Sequence, residues 1–182
     1  MAFDVNAFRS NMKLDGARAN LFDILLPLPA FAINAGASVT DLQFKAHSAQ
    51  LPGSTVGVVP LMYFGRELKF AGNRTFQPWT ITVYNDEDFG IRNSFESWLN
   101  AINSMQGNER LAAAASPISY GVDAVVRQYS KTGNVIKTYQ FIGMFPNDVS
   151  PIEVSWGSND QIEEFTVTLE YQYWTDISNT IF

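Results

Sequence analysis

The sequence contains no cysteine among its 182 residues. Disulfides, thiolate metal sites and a cysteine nucleophile are therefore excluded. It has a single histidine, His47, so the paired histidines of a zinc-binding helix are missing. His47 reads as a strand-end residue with no catalytic duty. No serine sits in a Gly-x-Ser-x-Gly elbow, and Gly53-Ser54-Thr55-Val56-Gly57 lacks the lysine and the spacing of a phosphate-binding loop. Charged residues make up only 16% of the chain, and no cluster of Lys and Arg exists to displace phosphate counterions. No stretch approaches the ~20 apolar residues that span a bilayer. Met1–Asn6 lacks a basic region followed by an apolar run. The reading is a product with no signal peptide and no membrane anchor, which stays in the cytoplasm of the cell that makes it.

The near-misses for chemistry have simpler explanations. Asp86-Glu87-Asp88, with Gly90 and Glu96, half-imitates a calcium loop, but Phe89 occupies a ligand position. Acids at the start of a helix account for the run better. Asn73-Arg74-Thr75 fits a glycosylation pattern only formally, without a secretory signal. Glu163 and Glu164 point to opposite faces of a strand and cannot act as a dyad. The aromatics Phe95, Trp98, Trp79, Trp156, Tyr171 and Tyr173 occupy the inward phase of their elements and read as core. No enzyme, cofactor or metal is expected.

What is present is a globular balance. Hydrophobic residues are 46%, aromatics 14%, and the formal net charge is -6 with a pI near 4.7. No repeat or long linker divides the chain, so 1–182 reads as one domain, with 1–19 as an N-terminal arm and 175–182 as a C-terminal tail. Leu21–Leu26 reads as a strand stopped by Pro27. Thr40–His47 alternates Leu42, Phe44 and Ala46 against Asp41, Gln43 and Lys45, which predicts a half-buried strand. Pro52-Gly53 marks a turn. Thr55–Pro60 and Met62–Phe70 predict a hairpin turning at Gly65-Arg66 or near Pro60, and Thr75–Tyr84 predicts a further strand. Ile91, Phe95, Trp98, Leu99 and Ile102 then recur at helical spacing. This predicts one amphipathic helix over about 86–104, capped by Asn85.

Ser104–Tyr120 reads as a small-residue connection. Val122–Tyr129 and Val135–Phe145 predict a hairpin around 131–134, and Val149–Trp156 and Gln161–Trp174 another around 157–160. In the last strand Phe165, Val167, Leu169, Tyr171 and Tyr173 alternate with Glu164, Thr166, Thr168, Glu170 and Gln172. The predicted fold is mainly β, a sandwich or partly open antiparallel barrel with a helix on one face. Phe95, Trp98 and Leu99 form the expected helix–sheet core. Val122–Tyr129 and Val135–Phe145 carry few of the charges that protect sheet edges, only Arg127, Lys131 and Lys137, and suggest strands that pair with another subunit.

Several ordered segments together resemble the tail tube protein of T-even-type contractile-tailed bacteriophages. They are Ala71-Gly72-Asn73-Arg74-Thr75-Phe76 leading into Trp79–Val83, Asn85-Asp86-Glu87 before the helix of Phe95 and Trp98, and Val126-Arg127-Gln128-Tyr129. Phe145-Pro146-Asn147-Asp148-Val149 follows, continuing through Trp156 and Asn159 to Phe165–Leu169 and Tyr173-Trp174. Asn20-Leu21-Phe22 and Leu51-Pro52-Gly53 match in order, so the resemblance spans roughly 20–174. The stretch 27–39 and the tail after Trp174 depart from it.

The resemblance implies a structural subunit, not an enzyme. Six such subunits form a ring, rings stack into a tube inside a contractile sheath, and inner strands of all six join in one barrel. Implied partners are other copies of the chain, the sheath protein, baseplate and tail terminator proteins and tape-measure protein. DNA passes through the lumen without specific binding. The implied place is the virion tail, assembled in the host bacterial cytoplasm. An acidic or neutral lumen keeps DNA mobile where a basic one would brake it. Glu164, Thr166, Thr168 and Glu170 are therefore candidates for the lumen, the other reading being that this face meets solvent or a neighbour. The Ser54–Phe70 hairpin, with Val58, Val59, Leu61 and Met62, is a candidate for contacts between stacked rings. Alternatives are a baseplate tube initiator, the tube of an injection particle without DNA, and a small-molecule-binding barrel, which would need a cavity with convergent polar groups.

Overall fold

Alternating apolar residues build the sheet. The computed structural model describes residues 4–12, 16–33 and 39–178. Strands β1 (Phe22–Leu25), β6 (Val122–Tyr129), β7 (Val135–Val149), β8 (Glu164–Glu170), β5 (Trp79–Tyr84) and β2 (Ala46–Ala49) pair antiparallel in that spatial order, and β9 (Tyr173–Asp176) adds to β7. A separate two-stranded ribbon, β3 (Thr55–Tyr63) with β4 (Arg66–Thr75), projects from this sheet. Four α-helices are described, α1 (Val5–Asn11), α2 (Val39–Lys45), α3 (Gly90–Ile102) and α4 (Pro117–Tyr120), with a short 3-10 helix at Ala112–Ala114. The architecture is mainly β and partly open.

β7 serves two leaves. Its first part pairs with β6 and β9, and its last part, from Phe145, pairs with β8. The switch falls beside Gly143, at φ 64°, a conformation that disfavours any residue with a Cβ. Gly121 packs against this bend, where an added Cβ would come within 2.7 Å of the Pro117 carbonyl oxygen. The core lies between the leaves. Ile24, Val126 and Phe141 from one meet Trp79, Ile81, Val83, Phe165, Val167 and Leu169 from the other, all essentially inaccessible. The Trp79 and Phe141 rings touch across the gap, with centroids 4.9 Å apart. α3 packs on β7 and contributes Ile91, Phe95 and Trp98 to the same core.

Several expectations are corrected. Thr40–Lys45 is helical, and the expected strand begins only at Ala46, as β2. On α2 Leu42 is buried while Phe44, its companion in a period-two reading, is exposed. The helix starts at Gly90, not at Asp86. Phe89 takes a left-handed conformation (φ 53°) as its N-cap, and Asp88 accepts from the Gly90 N–H at 3.1 Å. The acids thus form the turn before the helix, and Asn85 instead donates to Glu163. Of the expected hairpin between Val149–Trp156 and Gln161–Trp174 only the base forms, with Val149 opposite Val167 and the Ser150 N–H donating to the Thr166 carbonyl. β7 runs through to Val149, and 150–163 is a loop in which Val154 and Trp156 find no partner strand and lie exposed. The last strand breaks at Tyr171-Gln172, where the bend in β7 moves the chain from one leaf to the other. Trp156 and Tyr173 are therefore surface residues, not core.

β6 and β7 lie in the middle of the sheet, each paired on both sides, so they need no charges to guard an edge. Among the described residues the strands of this sheet with one neighbour only are β1, β2 and β9. The arm 1–19 contains the exposed helix α1, and the tail from Thr175 begins inside β9. Residues 34–38 of the divergent 27–39 stretch, and residues 179–182, lie outside the described residues.

Candidate assembly surfaces

Two surfaces stand out. The first is the β3–β4 ribbon, which pairs with no other strand among the described residues. Its base is tied down by two indole donors. Trp79 Nε1 donates to the Gln50 carbonyl at 2.5 Å, and Trp174 Nε1 to that of Gly53 at 3.1 Å. The turn is Phe64-Gly65, both at positive φ (46° and 75°), a backbone that matches strand twist in two-residue hairpins. Glycine tolerates this freely, whereas Phe64 is held there at a cost of about 1–2 kcal/mol. Phe64 is also 89% exposed.

Register sorts the ribbon into two faces. Val59–Phe70, Leu61–Leu68 and Tyr63–Arg66 lie opposite each other on one face, and Val58–Ala71, Pro60–Lys69 and Met62–Glu67 on the other. The candidates Val58, Val59, Leu61 and Met62 are all exposed and divide between the two faces. An isolated hairpin is marginal in water at best. A ribbon with large apolar side chains on both faces exposes surface that a partner would cover.

The second surface is the outward face of β5 and β8. Thr80 lies opposite Thr168, Thr82 opposite Thr166, and Tyr84 opposite Glu164. Ser48 extends the Thr82 row on β2, and Asp148 extends the Thr168 row on β7. Thr166, Thr168 and Glu170 are half-buried and Glu164 is exposed, alternating with buried Phe165, Val167 and Leu169. His47 stacks on Tyr84 at 4.6 Å, and its Nδ1 lies 3.3 Å from Glu164 Oε2. β2, β5 and β8 contain no lysine or arginine. The face is one of hydroxyls and carboxylates.

The reverse side of this leaf carries the helix. Phe95 and Trp98 are fully buried, and the Trp98 indole donates to the Tyr120 carbonyl at 2.9 Å. Leu99 is only half-buried, on the flank of the helix; the inward positions are Ile91, Ser94, Phe95, Trp98 and Ala101. Ser94 fits because its hydroxyl donates to the Gly90 carbonyl at 2.8 Å. Arg92 sits over the Phe165 ring and donates to the Ser150 carbonyl.

A charged cluster that sequence reasoning missed joins β1, β6 and α2. Asp23 is only 9% exposed, and Arg127 grips it with Nε at 3.0 Å and Nη2 at 2.6 Å. The Tyr129 hydroxyl donates to it at 2.9 Å and Gln43 at 3.1 Å. The hydrogen bond to Asp23 holds the Arg127 pKa above its ordinary value, and burial, reinforced by the bond to Asp23, raises that of Tyr129. One signal was available: Asp23 interrupts an apolar strand, which calls for a buried partner. Among the described residues no buried side-chain nitrogen or oxygen lacks a partner, and no cluster of three His, Asp or Glu could hold a metal. A concavity of about 900 Å³ under the 150–163 loop is a groove open to solvent. It is not an enclosed ligand cavity.

With this geometry in hand, the comparisons are specific. The profile of the family described as "Phage tail tube protein" matches residues 17–176. The tail tube protein gp19 of Enterobacteria phage T4 is 34% identical over 161 residues, 88% of this chain and 91% of that protein. The tail tube protein of Serratia phage KSP90 is 31% identical over 92% of this chain and 93% of its own length. Among solved structures, the sheath/tube terminator of an extracellular contractile injection system (PVC, extended state) superposes with a TM-score of 0.62 at 14% identity. It covers 88% of this chain and 96% of the other. At that identity the likeness is one of fold.

Proposed function

The chain belongs to the phage tail tube protein family, and from that premise we propose how it builds a tube. Its role is structural, as a component of the virion tail. Subunits close into rings of six, the rings stack inside a contractile sheath, and the hydroxyl and carboxylate face of β5 and β8 lines the lumen. The observation that carries this is the absence of lysine and arginine from three neighbouring strands, β2, β5 and β8, whose outward faces hold Thr80, Thr82, Thr166, Thr168, Glu164 and Glu170.

The physics favours this face for a conduit. DNA carries one negative charge per ~1.7 Å of axis, and each lysine or arginine on the wall would bind a phosphate at the expense of a counterion. A wall of hydroxyls and carboxylates leaves the duplex its own ion atmosphere, and it slides. The edge strands β1, β2 and β9 are where neighbouring subunits add strands, which removes the unpaired backbone groups of an open sheet. Assembly takes place in the host bacterial cytoplasm, and the ends of the tube meet baseplate and terminator proteins. Tape-measure protein occupies the lumen before DNA passes through it.

The cysteine-free sequence provides the test. Thr168→Cys and, as an outer control, Asn108→Cys each introduce a single thiol. In assembled tubes a maleimide on a long polymer should label Asn108→Cys and miss Thr168→Cys, while both react in free subunits. Equal labelling of the two in tubes removes the lumen assignment.

A further inference from the structure

We propose that the 150–163 loop is the receptor for the β3–β4 hairpin of a second copy, so that successive copies join head to tail. This rests on the tail-tube reading and names the partner of its stacking hairpin. The two surfaces lie at opposite ends of the same strands. The hairpin leaves the sheet beside Trp79, which is paired with Leu169; the loop enters it beside Glu164, which is paired with Tyr84. Roughly 17 Å of strand separates those ends. A copy displaced along the strand direction brings its hairpin to its neighbour's loop.

The chemistry of the two surfaces is complementary. The hairpin carries Arg66, Lys69 and Arg74 against the single anion Glu67, and the loop carries Glu153, Asp160 and Glu163 with no cation. Both are rich in exposed apolar side chains: Tyr63, Phe64 and Met62 at the hairpin tip, Val154, Trp156 and Ile162 in the loop. The lining of the open groove under the loop mixes Tyr84, Ile152, Val154 and Ile162 with the acids Glu153, Asp160, Glu163 and Glu164. It offers both apolar and acidic contacts to a basic, apolar hairpin. The left-handed, almost fully exposed Phe64 is placed where a knob for that groove belongs. One donor and one receptor per copy make a heterologous contact, which propagates instead of closing on itself.

Charge reversal tests the pairing. Arg66→Glu/Lys69→Glu sets an acidic hairpin against an acidic loop; Glu153→Lys/Asp160→Lys sets a basic hairpin against a basic loop. At low ionic strength, where exposed charges are least screened, each variant alone should yield single rings, with pelletable tubes reduced at least tenfold. A 1:1 mixture should restore tubes, because each variant's hairpin then matches the other's loop. Either variant stacking like the parent, or a mixture no better than its parts, overturns the proposal. Failure of the parent protein to form rings at all contradicts the tail-tube reading instead. In that case the pairing is still decided by whether the mixture sediments as a larger species than either variant.

Discussion

Arg127 holds Asp23 with two guanidinium nitrogens across the β1–β6 pair, and the same carboxylate accepts from Tyr129 and Gln43. The cluster ties the edge strand β1 to the sheet interior and to α2. Arg127→Met leaves a largely buried carboxylate without its cation, and should cost about 3 kcal/mol in chemical unfolding. Arg127→Lys should recover only part of that, since a point charge cannot reproduce the two-pronged contact. Equal stability of Arg127→Met and the parent would show that the cluster is dispensable.

The bend in β7 gives a second prediction. Gly143→Ala places a Cβ at φ 64° and should destabilise by about 1–2 kcal/mol. Gly121→Ala presses a Cβ toward the Pro117 carbonyl oxygen at 2.7 Å and should cost at least as much. Gly133→Ala, also at positive φ (85°) but with open space around it, should show strain alone. Thermal denaturation of the three variants orders the effects.

The ion pair between Lys137 on β7 and Asp176 on β9 predicts a pH dependence. The hydrogen bond from Lys137, helped by those from Ser178, lowers the Asp176 pKa from 3.8 to about 2. A depressed carboxylate pKa contributes stability that is fully present above the unfolded value and is lost as pH falls through the folded one. The attachment of β9 should therefore hold above pH 3.8 and weaken between there and about 2. The Asp176 carboxyl carbon should titrate near 2 by NMR and at a higher pH in Lys137→Met, where only the Ser178 hydrogen bonds still lower it. An unchanged midpoint in that variant would break the link.

The tip of the hairpin should trade subunit stability for assembly. Asn accepts the left-handed region that Phe64 occupies at φ 46°. Phe64→Asn should raise the stability of the free subunit by up to ~1 kcal/mol while lowering the yield of tubes. A variant that is both more stable and fully competent to stack would separate the strain at Phe64 from assembly.

Local periodicity made much of this fold legible. Phe165, Val167 and Leu169 alternate inward along β8, and Ile91, Phe95 and Trp98 mark α3. Leu42, Phe44 and Ala46 misled because they straddle the change from α2 to β2: Leu42 is buried and Phe44 exposed on the helix, and Ala46 opens the strand that follows. Ile152, Val154 and Trp156 alternate as a strand would, but no strand lies beside them. The break at Tyr171-Gln172 is imposed by a bend in β7 nearly thirty residues earlier, so nothing local announces it. The Asp23–Arg127 pair joins residues 104 apart in sequence. The polar stripe of Glu164, Thr166, Thr168 and Glu170 was visible from alternation; the three-strand face it belongs to depends on β5 and β2, and its candidate role on copies of the chain beyond this one.

The most direct measurement is a cryo-electron microscopy reconstruction of the purified protein assembled at high concentration. The account predicts stacked rings with a central channel, Thr166 and Thr168 on the inner wall and the β3–β4 hairpin crossing to the next ring. Assemblies with those threonines on the outer wall, or rings that stack without engaging the hairpin, would contradict it.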